Sequence, residues 1–245
     1  MSHSDAARRP LPAVDERIVA PGSGAEIVQG ELFMTPPADE PHGNRHAQLA
    51  YVLRAHIADG YLGAIDMLTR TSETSDFAPD ASVYPAARDP ATGGRQLEVL
   101  AFEVVSEQWI GVPSEKAREL ARRGVRWVFC LVLKTGRVLE WSRETDGWGV
   151  VSPEAAIEDE ALARPLPVRA LVDAAAADAA VVEALRRRGL LAPIERELKL
   201  EYARGLCEVL DVSLDADRRA RLEALDVPGL DALIARLKRE RRWTD

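Results

Sequence analysis

Apolar positions along this chain follow two periods, and the change from one to the other divides it. Between residues 25 and 142 the runs mostly alternate or are continuous, as in strands, with two helical interludes; beyond Pro165 the spacing is helical throughout. Glu26-Ile27-Val28 and Glu31-Leu32-Phe33-Met34 flank Gln29-Gly30, which predicts a hairpin whose glycine takes the positive φ of a tight turn. After a Pro-rich loop, Thr35 to Pro41, the positions Leu49, Val52, Leu53 and Ile57 predict a helix over His42–Asp59, with Gly60 as its stop. Strands are predicted over Ala64–Leu68, Ala81–Tyr84 and Leu97–Ser106, the last two joined by the turn-rich Arg88–Gly94. Pro113 and Ser114 then open a helix of about nine residues, with Ala117, Leu120 and Ala121 as its stripe and Gly124 as its cap. Trp127–Leu133 is a near-continuous apolar run suited to a buried central strand, and Arg137–Trp141 pairs with it across Lys134-Thr135-Gly136. The order implies an α/β fold, a mixed central sheet flanked by helices.

The helical remainder comprises Val168–Arg188, Ile194–Leu210, Asp215–Leu225 and Gly229–Arg242, separated by Gly189, Pro193, Ser213 and Pro228. Its Ala-rich opening, Asp173–Ala184, forms helix readily but fills a core poorly. The stripes Leu198, Ala203, Leu206, Leu210 and Leu222, Leu225, Leu230, Ile234 therefore need a surface, expected to be the α/β core or a second copy in a homo-oligomer. The expected organisation is a flexible leader over 1–20, an α/β domain over 21–164 and a helical C-terminal extension over 165–245.

Length and an apolar content of 47% permit one sizeable core. Neither a secretory leader nor a run of about 20 apolar residues is present, which reads as a soluble, cytoplasmic protein without a membrane partner. Cys130 and Cys207 stand far apart in apolar surroundings and read as small buried hydrophobes. A net charge of −8 excludes a protein that coats nucleic acid by bulk electrostatics. It leaves room for an enzyme that meets phosphates through bound divalent cations.

Candidate chemistry begins with Glu103, which interrupts Val99-Leu100-Ala101-Phe102 and Val104-Val105. A carboxylate inside a core strand implies a cation, a partner or a shifted pKa. Glu98, an odd number of residues away, faces the opposite side of the sheet. Asp80 follows Pro79 at the start of Ala81-Ser82-Val83-Tyr84, and an adjacent antiparallel strand would bring it beside Glu103. Two such carboxylates make a hard-oxygen site for Mg²⁺ or Mn²⁺.

Pro79-Asp80, Glu103 in its apolar strand, Lys116, and Gly124-Val125 before the next apolar strand together resemble the Uma-type restriction endonuclease family of the PD-(D/E)XK nuclease superfamily. The resemblance covers residues 25 to about 170. It implies a restriction-endonuclease-like core, Mg²⁺-dependent cleavage of DNA, Asp80 and Glu103 as metal ligands, and Lys116 as a catalytic cation. Two residues after Glu103, where the superfamily carries its lysine, stands Val105; the family compensates with a lysine on the next helix, here Lys116. Val112 and Leu120 replace an acidic residue and a tyrosine that the family often has, and Ser106-Glu107-Gln108 replaces its usual Ser-Pro. These departures support a rival reading, a decayed nuclease fold serving as an oligomerisation or partner-binding module.

Other residues read as structural. Glu31 is read as a solvated strand residue rather than one that approaches the site from the sheet edge, His42 as a cap of the first helix rather than a substrate contact, and Lys116 has Glu119 as an alternative partner on an exposed face. Arg186-Arg187-Arg188 and the cluster Arg236, Lys238, Arg239, Arg241, Arg242 read as solvated faces near helix ends.

Overall fold

In a computed structural model, the described residues are 11–35, 37–106 and 110–243. The chain separates into two units, one ending at Val182 and the other running from Glu183. The boundary thus falls inside a helix, some distance beyond the Pro165 at which the sequence turns helical.

The first unit opens with β1 (Ala25–Val28) and β2 (Glu31–Met34), paired with Val28 opposite Glu31 as the Gln29-Gly30 turn requires. Then come α1 (Glu40–His56), β3 (Tyr61–Ile65), β4 (Thr69–Ser72), β5 (Ser75–Phe77), β6 (Ala81–Pro85), β7 (Leu100–Val105), α2 (Gly111–Arg123), β8 (Trp127–Val132), β9 (Arg137–Ser142) and β10 (Gly147–Val150). A short pair, β11 (Ala156–Ile157) and β12 (Leu166–Pro167), precedes a 3-10 turn over Val168–Leu171, where a full helix is expected from the sequence.

Six strands form the central sheet in the order β10-β9-β8-β7-β6-β3. All neighbours are antiparallel except β7 and β8, which are parallel and joined through α2. Parallel pairing demands a crossover of this kind, and it makes the sheet mixed. A second sheet, β2-β1-β5-β4, is antiparallel. Strands β4 and β5 lack an apolar alternation because Thr69, Thr71, Ser75 and Asp76 are themselves buried.

Period-2 alternation along β7 decides where each side chain goes. Ala101 packs with Ala117, Leu120, Val125 and Val128 in the core between the sheet and α2, and Glu103, two residues on, shares that side. Phe102 points the other way and stacks on Phe129 at 5.4 Å. Burying such a ring stabilises by roughly 1.5–3 kcal/mol, which explains why this strand is central. Glu98 is buried with its own cation, Arg95 Nη1 at 3.0 Å.

Residues 1–10 of the expected leader lie outside the described residues. Leu11 to Ala20 does not behave as a loose leader: Val14 and Val19 are buried, and the backbone N–H groups of Ile18 and Val19 donate to the Asp76 carboxylate. Individual hydrogen bonds, with no periodicity to announce them, order this segment.

The second unit contains the end of α3 (Ala174–Arg187), then α4 (Ala192–Val209), α5 (Ala216–Ala224) and α6 (Val227–Glu240). Asp215 and Asp226 cap the last two by accepting from Arg218 N and Gly229 N. Ala203 and Cys207 of α4, Leu222 of α5, and Leu230, Leu233, Ile234 and Leu237 of α6 bury one another, while Leu198 stays exposed. Packing within this unit covers part of these apolar faces and leaves Ile194, Leu198 and Val209 of α4 exposed.

Both cysteines are free and fully buried. Burial, reinforced by Glu103 and Asp80, pushes the Cys130 thiol up to about 12, and burial raises Cys207 as well. Because the thiolate is the reactive species, native protein at pH 8 should give almost no rapid colour with Ellman's reagent, and two thiols after unfolding. Rapid labelling of either thiol in the native state would contradict this burial.

Candidate active site

The site lies where the two sheets of the first unit meet α1 and α2. The register that pairs Ala81 with Phe102 sets Asp80, one residue before β6, across from Glu103 on β7. One carboxylate oxygen of Asp80, Oδ2, accepts from Val104 N, which fixes the side chain and leaves Oδ1 free to face the cleft. Burial pushes Asp80 up, but His42, His46, Lys116 and that backbone N–H outweigh it and leave the carboxyl well below the usual range. Asp80 is therefore ionised at neutral pH.

Glu103 lies deeper. Burial holds its carboxyl well above the usual range, and Asp80 and Glu26 push the same way against the attraction of Lys116. Its Oε1 is buried without a hydrogen-bond partner, an orphaned acceptor that a cation would satisfy.

Lys116 sits on the buried stripe of α2 with Ala117, Leu120 and Ala121. Its Nζ is 2.8 Å from Glu26 Oε2 and 3.7 Å from Glu103 Oε2, and donates to Ala78 O at 3.1 Å. The stem passes near the Phe77 ring, with the ammonium 5.6 Å from its centroid. Burial alone would favour the neutral amine, but Glu103 and Glu26 keep it charged. Glu119, the alternative partner on the sequence, instead faces Thr71.

The structure thus brings Asp80, Glu103 and Lys116 together, and adds three residues that sequence reasoning set aside or passed over. Glu26, on β1, joins the two sheets by accepting from Ala78 N with one oxygen and pairing Lys116 with the other. Its only signal was a charged residue in an otherwise apolar four-residue strand. His42 is held in the first turn of α1, its backbone N–H donating to the Asp39 cap, and its ring faces Asp80 at 3.8 Å. His46, one turn on, brings Nε2 to 3.3 Å from Asp80 Oδ1. Two histidines at i and i+4 were legible as one helical face. Glu31, by contrast, is exposed at the edge of the second sheet.

The Asp80 carboxylate raises the His46 imidazole against the opposing effect of burial. Asp66 stands on its far side, Oδ2 3.8 Å from Nδ1, with its own carboxyl raised chiefly by burial. Among the described residues, one set of three donors converges within 4.8 Å: His42, His46 and Asp80. These groups open onto a cleft of about 1000 Å³, which Glu26, Phe33, Thr35 and Lys116 also line. An ionised carboxylate, an orphaned acidic oxygen and imidazole nitrogens fit a divalent cation, and the buried ammonium beside them fits an anionic substrate.

The Uma2 family, described as "Putative restriction endonuclease", matches residues 13–177, more than half of the chain. Among solved structures, a "putative nuclease belonging to DUF820" from Anabaena variabilis is 14% identical, with a TM-score of 0.48, covering 60% of this chain and 89% of that one. No curated protein matches.

Proposed function

The chain belongs to the Uma2 family, and from that premise we propose that it is a divalent-metal-dependent endonuclease hydrolysing phosphodiester bonds of DNA, with Asp80, Glu103 and Lys116 as its working residues. The observation that carries this reading is the juxtaposition of ionised Asp80, buried Glu103 and the Lys116 ammonium, with Asp80 and Lys116 lining one cleft.

Asp80 would hold the metal, Mg²⁺ or Mn²⁺, with the unpartnered Glu103 oxygen as the second carboxylate donor. Such an ion, when bound, polarises the phosphodiester and lowers the pKa of a water. The protein's own groups do the rest. Water adds to phosphorus, the bond to the leaving sugar oxygen breaks, and that oxygen takes up a proton. Negative charge gathers on the phosphoryl oxygens as this happens, and Lys116, kept protonated by its carboxylate neighbours, stands where it can stabilise them. Phe77 and the buried stripe of α2 restrict its movement, so little reorganisation is needed. Among the described residues no helix is long and apolar enough to cross a membrane, and a DNA substrate supports action in the cytoplasm.

The rival, a nuclease fold kept for partner binding, draws on one feature: Lys116 Nζ is closer to Glu26 than to Glu103, as a purely structural ion pair would be. Supercoiled plasmid separates the two. The proposed enzyme should nick it with Mg²⁺ or Mn²⁺ and stop when EDTA is added. No nicking of plasmid, linear or single-stranded DNA with any divalent ion would give the rival reading its place.

A further inference from the structure

The nearest donors to the free oxygen of Asp80 are nitrogens. His42 Nε2 is 3.8 Å and His46 Nε2 3.3 Å from Asp80 Oδ1. The two rings tilt at 53° with centroids 4.5 Å apart, so their donor atoms approach the same point and do not stack. Bonds of roughly 2.0–2.2 Å to one ion hold its donors about 3–4 Å apart. A set already within 4.8 Å needs only a small ring rotation to reach that spacing.

An ordinary structural histidine–aspartate pair accounts less well for the details. His46 Nε2 is buried yet makes no hydrogen bond, although Asp80 Oδ1 is nearby. Behind it, Asp66 Oδ2 faces His46 Nδ1 at 3.8 Å. Asp66 is largely exposed and beyond direct hydrogen-bond reach here, but a carboxylate on this side favours the tautomer that presents the Nε2 lone pair to an ion. The Asp66 backbone supports the placement: its φ of 49° and its N–H, donating to Asp80 O, turn the residue back toward α1. Asp39 holds the His42 backbone in the first turn of α1 by accepting from its N–H.

We propose that His42, His46 and Asp80 form a mixed nitrogen–oxygen site that selects a first-row transition cation such as Mn²⁺ over Mg²⁺, with Asp66 as the positioning residue for His46. The inference rests on the metal-dependent reading above and deepens it. Mg²⁺ demands near-octahedral oxygen ligation and sheds water reluctantly, whereas imidazole suits the transition ions. The two imidazoles are what this site adds to the Asp80–Glu103 pair proposed above; Glu103 itself lies outside the converging set.

The test uses the full-length protein and Mn²⁺, Zn²⁺ and Mg²⁺ as separate probes. Calorimetry should show Mn²⁺ and Zn²⁺ binding about tenfold or more tighter than Mg²⁺. Pulsed electron paramagnetic resonance of bound Mn²⁺ should show ¹⁴N couplings. His46→Gln and His42→Gln should each remove part of that coupling and weaken Mn²⁺ by about tenfold or more, while Mg²⁺ changes little. Asp66→Asn should weaken Mn²⁺ but keep the nitrogen signal. Thermal melting checks that each variant folds, and the wild-type spectrum stands whether they do or not. Absent nitrogen coupling, equal affinities for Mn²⁺ and Mg²⁺, or no binding at all would overturn the proposal. Failure of the nuclease reading looks different: nitrogen-coupled Mn²⁺ in a protein that cleaves no DNA. Conversely, cleavage supported equally by Mg²⁺ and Mn²⁺ and unchanged in His46→Gln would leave the nuclease and remove this site.

Discussion

Lys116→Met should lower the unfolding free energy by about 3–5 kcal/mol, the cost typical of breaking a buried ion pair by removing one partner. Methionine preserves most of the stem's packing against Phe77, so the loss reports the charge. Without the ammonium, Glu26 and Glu103 face each other in a buried place with no cation, and Ala78 O loses a donor. Glu103, whose carboxyl burial already raises, should then hold its proton at still higher pH than in the unfolded chain. A group whose folded pKa is raised stabilises below its unfolded value and loses that stabilisation as pH rises through the folded one. The variant should therefore be impaired less at pH 5 than at pH 8. Urea unfolding at both values checks the direction, and Glu26→Gln in the same background should recover part of the loss. A loss below about 1 kcal/mol at pH 8 would mean that Lys116 behaves as a solvated surface lysine. In cleavage, the same substitution should slow single-turnover chemistry by about 10²-fold or more while leaving metal affinity near wild type.

Asp80→Asn should cause the larger catalytic effect. The amide oxygen can still accept from Val104 N, so the β6–β7 junction stays in place. The charge is gone, and His42, His46 and Lys116 lose the anion they share. Cleavage should fall by more than 10²-fold, roughly the loss of one preorganised electrostatic group together with the metal. The thermal stabilisation that saturating Mn²⁺ confers on wild type by mass action should vanish in the variant. Differential scanning fluorimetry with and without Mn²⁺, beside single-turnover nicking, reads both. Wild-type nicking by this variant would remove Asp80 from the reaction.

Elements that bury an apolar face, α1, β7 and β8, were legible in the sequence, as were the first hairpin through its Gln29-Gly30 turn and the period change after Pro165. Glu103 was legible for the opposite reason, a charge where burial penalises it. The polar strands β4 and β5 were not, since their buried residues are Thr, Ser and Asp, whose hydrogen-bond partners lie far along the chain. Glu26 escaped notice because the first hairpin looks like a surface element until β5 pairs with β1 and sets it against α2. His42 read as a capping residue; the cap is Asp39, and the ring was free for other work. Spacing locates the helical stripes, but not that Ala203, Leu222, Leu230 and Ile234 bury one another within the second unit.

The hydrogen bond from the Gln29 amide to Glu115 joins residues 86 apart, and the Glu26–Lys116 pair beside it closes a similarly long loop. Crossover β7-α2-β8 can form from neighbouring residues, and it carries both Glu103 and Lys116. Glu26 reaches them only after the second sheet has docked, a late event because long loops close at greater entropic cost. A nascent or partly folded chain therefore lacks the complete charge arrangement, and under the proposed function competence would come only with the finished fold.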